Sequence, residues 1–261
     1  MHKLRCLIAA FALLAGFVGV AAKAAELKVV SAGAMRAVLQ QLAPSFEAAT
    51  GNHLVLEFST AGGVEQRVAG GDAIDVAVLT RSRLDKLAQQ GKVAAPSVVT
   101  LARASIGLAV RKGTPHPDIA SVDAFKRALL NAKSIAYTDP ASGGTSGIHL
   151  AQVLERLGIA AALKPKIHLV SATAATSSPS VGEAIAKGEA EIGLQPISEL
   201  ISVEGIDIVG PIPSELQSAE LVYAAGAPVA GKQKAAAKAL IDYLAGPTAA
   251  PVLKAKGLMP G

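Results

Sequence analysis

"FSTAGGVEQRVAGGDAIDVAVLT", Phe58–Thr80, sets the fold. It opens at the end of an apolar strand and turns through four small residues, Thr60-Ala61-Gly62-Gly63. An amphipathic helix follows, closed by the pair Gly70-Gly71, and an apolar run from Ile74 to Leu79 reads as a buried strand. Strand, helix and strand at this spacing make a right-handed βαβ unit, the building block of parallel sheets. The small-residue loop has no Lys, Cys, His or carboxylate, so whatever it holds is held by backbone N–H groups and hydroxyls.

The same alternation extends in both directions. "ELKVVSAG" and "HLVLEFS" read as strands flanking the helix "AMRAVLQQLAPSFEAATG". "ASIGLAVRKG", "SIAYTDP", "KIHLVSA", "EIGLQPI" and "LVYAAGAPVA" continue the strand series, with helices between most of them. Val64, Val68, Ala69, Gly71, Asp72 and Ala73 recur at the same spacing as Val181, Ile185, Ala186, Gly188, Glu189 and Ala190. Two similar α/β lobes would produce this echo. We expect residues 25–105 and 225–261 to form one lobe and 106–224 the other.

The first residues carry His2, Lys3 and Arg5, then an apolar run from Leu7 to Ala22 and the small-x-small site Ala22-Lys23-Ala24. That order reads as a secretory signal peptide over 1–24, cleaved after Ala24, and implies a periplasmic protein. Cys6, the only cysteine, lies in the removed segment, so no disulfide, thiol nucleophile or zinc-thiolate site is expected. Removing Lys3, Arg5 and Lys23 lowers the formal charge from +5 to +2. No basic run stands out, which argues against nucleic acid as a partner.

Open α/β sheets bind ligands beyond the carboxyl ends of their strands. The strand-to-helix junctions are therefore the informative places. They carry Ser31 and Gly33, then Ser59, Thr60 and Gly62, then Gly144, Thr145 and Ser146, then Ser180. Glycines allow close approach to the backbone, and helix N-termini offer N–H donors to an anion. Each loop taken alone also reads as an ordinary helix cap. "SGGTSGIH" lacks the lysine of a phosphate loop, and neither GxGxxG, GxSxG nor HExxH occurs. Arg81 follows the third strand and Arg103 precedes the long one; either could offer a guanidinium fork to a carboxylate. His149, in the first turn after "GGTSG", and Glu65 are the candidate proton shuttles. No metal or cofactor is expected.

At "LKVVSAGAMRAVLQQLAPSFEAATG", "YTDPASGGTSGIHLAQVLERLG", "GEAEIGLQPISEL" and "AAKALIDYLAGPTAAPVLKAKGLMP", together with the opening stretch, the chain resembles the periplasmic molybdate-binding proteins. The resemblance covers nearly the whole mature chain. It implies a type 2 periplasmic-binding-protein fold, with two α/β lobes and an anion in the cleft between them. Two serine positions that the family uses for its oxyanion fall on Ala34 and Ala61, and its tyrosine falls on Gln195 or Pro196. Lost hydroxyl donors are costly to a buried oxyanion. The expected ligand is thus an organic di- or tricarboxylate rather than molybdate.

Two functions fit. One is a monomeric binding protein that captures the carboxylate for an ABC transporter permease. The other, on the same scaffold, is an aconitate isomerase, which interconverts cis- and trans-aconitate by allylic proton transfer without a cofactor.

Overall fold

The computed structural model of the chain describes residues 24–171 and 180–261. The signal-peptide expectation, and the Thr176–Pro179 part of the junction before Ser180, lie outside them. Eleven strands are present among the described residues: β1 Glu26–Ala32, β2 His53–Ser59, β3 Val76–Thr80, β4 Val99–Ala104, β5 Ile106–Arg111, β6 Ile135–Thr138, β7 Ile167–Val170, β8 Ile192–Pro196, β9 Ile206–Pro211, β10 Val222–Gly226 and β11 Leu258–Pro260. The α-helices are α1 Arg36–Thr50, α2 Ala61–Gly70, α3 Arg81–Gln89, α4 Val122–Asn131, α5 Thr145–Arg156, α6 Ala160–Leu163, α7 Val181–Ala186, α8 Ile197–Leu200, α9 Lys234–Ala245 and α10 Ala249–Ala255.

Local chemistry explains the main helices. α1 buries Val38, Leu39, Leu42 and Phe46, one stripe at helical spacing, and ends at Gly51 with φ +70°. The Thr60 hydroxyl caps α2 by accepting from Gly63 N at 3.0 Å. Ser121 caps α4 in the same way through Ala124 N.

The strands form two sheets, ordered β11-β4-β10-β3-β1-β2 and β7-β6-β8-β5-β9. In the first, β1 lies parallel between β2 and β3, and β10 runs antiparallel to β3. In the second, β6 lies parallel between β7 and β8, and β5 runs antiparallel to β8. The repeat seen in the sequence occupies equivalent places: α2 leads into β3, and α7 into β8. β3 and β8 are buried along their whole length, which accounts for their unbroken apolar character. We call the two halves lobe I and lobe II.

Both sheets are mixed, whereas strand–helix alternation alone suggested parallel ones. The strand expected over Ala104–Gly113 is β5, and a further strand that was not foreseen, β4, runs directly into it. β4 belongs to lobe I and pairs antiparallel with β10; the chain passes Ser105 and continues in lobe II as β5. A strand that crosses from one sheet to the other cannot be parallel to the βαβ strands in both. β9 and β11 were also unforeseen; both are added antiparallel at a sheet edge.

Candidate functional site

The carboxyl ends of β1, β2, β6 and β8 converge between the lobes. They surround a cavity of about 20 Å³, room for roughly one water molecule. Gly33 and Ala34 line it from the turn after β1; Ser59, Thr60 and Ala61 from the β2–α2 junction; Gly144, Thr145 and Ser146 from the start of α5. The lobes touch directly beside it. Thr60 Oγ1 donates to the Ser142 carbonyl at 2.6 Å, and Gly62 N donates to the Gly143 carbonyl at 3.1 Å.

Among the described residues one acidic group lines this cavity. Glu199 sits on α8, the single turn that follows β8. The residue is half-buried, and it lines the cavity. Gln195 Nε2 donates to Oε2 at 2.8 Å. Burial raises the Glu199 pKa from its ordinary 4.5 to about 7, against the opposing pull of the Arg36 charge and the Gln195 hydrogen bond. Gly33 makes room for it: a Cβ there would lie 2.8 Å from Glu199 Oε2. Across the cavity, Tyr223 of β10 is buried. Burial, and the nearby Glu199 charge, push its phenol well above its ordinary value, so it remains a neutral donor. The Arg36 guanidinium lies 4.2 Å above the Phe58 ring.

A second cavity, about 350 Å³, adjoins the first and shares Thr145 with it. Glu65 and His149 both line it, at the mouth of the cleft. Glu65 accepts from Arg83 Nη1 and, at 2.9 Å, from Lys86 Nζ. Burial pulls its carboxyl upward, but hydrogen bonds from Lys86 and Arg83 outweigh this and hold it below the ordinary value. His149 Nε2 lies 2.8 Å from the Leu216 carbonyl, a bond that requires the proton on Nε2.

The other anticipated residues stand back from these cavities. Ser31 is fully buried and donates to the Ala32 carbonyl. Ser180 caps α7. Gln195 lies behind Glu199, its Oε1 accepting from Val181 N. Arg81 turns to Asp85, one helical turn on, and to the Thr100 hydroxyl. Arg103 is exposed on β4. Sequence reasoning passed over Glu199, Tyr223, Thr80, Arg83 and Lys86. Glu199 follows a buried strand directly, so the strand-end rule that picked out the other loops would have found it in "PISEL". A larger cavity, about 840 Å³, opens on the far side of lobe II at the amino ends of β6 and β8. That is the wrong end of the sheet for the ligand of this architecture.

A two-lobed α/β protein with helix N-termini and small hydroxyl residues around an inter-lobe cleft is built as an anion receptor. The chain belongs to the bacterial extracellular solute-binding protein family, whose model matches residues 27–259. It is 38% identical to an aconitate isomerase of Pseudomonas sp over 241 residues, 90% of this chain and 87% of that protein. It is 29% identical to the molybdate-binding protein ModA of Azotobacter vinelandii over 253 residues, 94% of each. The solved periplasmic molybdate-binding protein of Azotobacter vinelandii superposes with a TM-score of 0.74 at 24% identity, covering 89% of this chain and 98% of that one.

Proposed function

We propose that the chain is a cofactor-independent isomerase of an unsaturated tricarboxylate, interconverting cis- and trans-aconitate. The observation that carries this is the Glu199 carboxyl, lining the anion cradle with a pKa of about 7. In a receptor such a group is a liability, because an ionised carboxylate repels a bound anion and burying it costs free energy. In a proton-transfer enzyme it is an asset, because a general acid/base works best with its pKa near the operating pH. The similarity to an aconitate isomerase supports the same reading.

The chemistry balances with one acid/base group. Glu199, as carboxylate, takes a proton from the substrate methylene. The C–H electron pair spreads over the allylic system and the carboxylates attached to it. The Glu199 carboxylic acid then returns the proton to the former vinylic carbon, and the double bond has moved by one position. The new double bond inherits the conformation held about the former single bond, so cis or trans is set by how the site orients the substrate. Helix N-termini and hydroxyls from both lobes stabilise the charge that develops. The closed cavity holds about one water, so the lobes part to admit substrate. In this reading Glu199 moves the proton, while His149 and Glu65 belong to the cleft mouth.

The test is to incubate purified protein with trans-aconitate, without cofactor and with a chelator, and follow cis-aconitate by chromatography. Catalytic formation of product is expected. Glu199→Gln should lower kcat by about 10²–10⁴-fold while substrate still binds. The second reading, carboxylate capture for an ABC transporter in the periplasm, is favoured by the family description. It prevails if aconitate binds one-to-one and is recovered unchanged. Tight binding of molybdate with none of any carboxylate overturns both.

A further inference from the structure

The cleft mouth carries two polar atoms that the fold leaves unused. Thr80 Oγ1 and Thr145 Oγ1 are buried and have no hydrogen-bond partner among the described residues. Thr80 is only 1% exposed. It sits at the N-cap of α3, where a threonine hydroxyl ordinarily accepts from the helix, yet no side-chain cap bond forms. An orphaned buried hydroxyl is destabilising because its lost water contacts are not replaced, so two lining one cavity are a standing cost that a ligand would relieve. They come from opposite lobes, Thr80 from lobe I and Thr145 from lobe II, and both line the 350 Å³ cavity.

Arg83 and Lys86, one helical turn apart on α3, line the same cavity. Glu65 binds both, and this fixes their position without exhausting them. Among the described residues only Nη1 of the Arg83 guanidinium is engaged, and a guanidinium carries five N–H donors. Glu220, at the rim of the cavity, is exposed and so is screened by water. Thr145 also lines the 20 Å³ cradle. A ligand with one carboxylate in the cradle and another beyond Thr145 would therefore span both cavities.

We propose that Thr80, Thr145, Arg83 and Lys86 form a second carboxylate subsite, which binds the remote carboxylate of the substrate and selects tricarboxylates over shorter acids. This rests on the isomerase reading for its consequence. By holding the remote carboxylate, the subsite fixes the conformation about the bond that becomes double, and so fixes which isomer forms.

The test compares two probes by calorimetry: trans-aconitate, and mesaconate, which is trans-aconitate with a methyl group in place of its carboxymethyl arm. The wild type should bind trans-aconitate the more tightly. Thr80→Val removes the hydroxyl at nearly constant shape. It should weaken trans-aconitate binding about tenfold or more, leave mesaconate unchanged, and keep or raise the Tm of the free protein, since an orphaned polar group is gone. Arg83→Gln should show the same selective loss. Equal losses for both probes, no loss for either, or a Thr80→Val variant that is less stable and binds normally would overturn the subsite. Turnover is scored separately. Selective binding loss in a protein that never converts aconitate would leave the subsite standing and sink the isomerase reading, and a wild type that binds neither probe would sink both.

Discussion

Replacing Glu199 by glutamine tests the buried carboxyl without reference to substrate. Its pKa is about 7 in the folded protein against 4.5 ordinarily. Between those values the folded protein keeps the proton while the unfolded chain releases it. Wild-type stability must then fall as pH rises through that window, at about 1.4 kcal/mol per unit for this group alone, reaching about 3 kcal/mol by pH 8. Glutamine cannot ionise, and its amide oxygen can still accept from Gln195 Nε2. The variant should match the wild type near pH 5 and become the more stable of the two above pH 7. The pull of Arg36 on the ionised carboxylate is already contained in that pKa, so the full difference of about 3 kcal/mol is expected by pH 8. Urea denaturation at pH 5, 6, 7 and 8 measures the difference, and the histidines, common to both proteins, cancel in it. A pH-independent difference would refute the reasoning. So would a variant less stable than the wild type at pH 8, because that would mean Arg36 binds the ionised carboxylate well enough to hold its pKa below 4.5.

Two other substitutions probe the frame. A Cβ at Gly62 would lie 2.9 Å from the Gly143 Cα, across the cleft and against backbone that cannot rotate away. Gly62→Ala should hinder closure, weakening ligand binding about tenfold and leaving the ligand-saturated protein more open by small-angle scattering; unchanged affinity would show that this contact plays no part in closure. Asp75, nearly buried, accepts from Lys28 N, Lys232 N and Gln233 N and so ties β1 to the start of α9. Asp75→Ala strands those three donors and should cost about 3 kcal/mol or more in chemical denaturation, with a loss under 1 kcal/mol refuting the assignment.

The βαβ units, and the loops carrying Gly33, Ser59, Thr60, Gly144, Thr145 and Ser146, were legible in the sequence because they depend on short-range rules. Hydrophobic periodicity marks the strands and helices. Parallel strands within a lobe bring their carboxyl ends to one edge, so small residues just after them gather there. The echo between residues 64–73 and 181–190 was legible for the same reason, since each lobe repeats the unit. The crossing of β4 into β5 at Ser105 was not, because both halves are apolar strands and only sheet partners separate them. The roles of the charged groups were equally hidden. Arg81 and Arg83 differ by two positions, about 200° around a helix; one turns to Asp85 and Thr100 and the other to Glu65 in the cleft mouth. Glu199 is one acid among 20 Asp and Glu in the chain. Its pKa depends on desolvation, and desolvation is a property of everything packed around it: Gly33 from one lobe, Gln195 from the other, and the closure of the cleft between them.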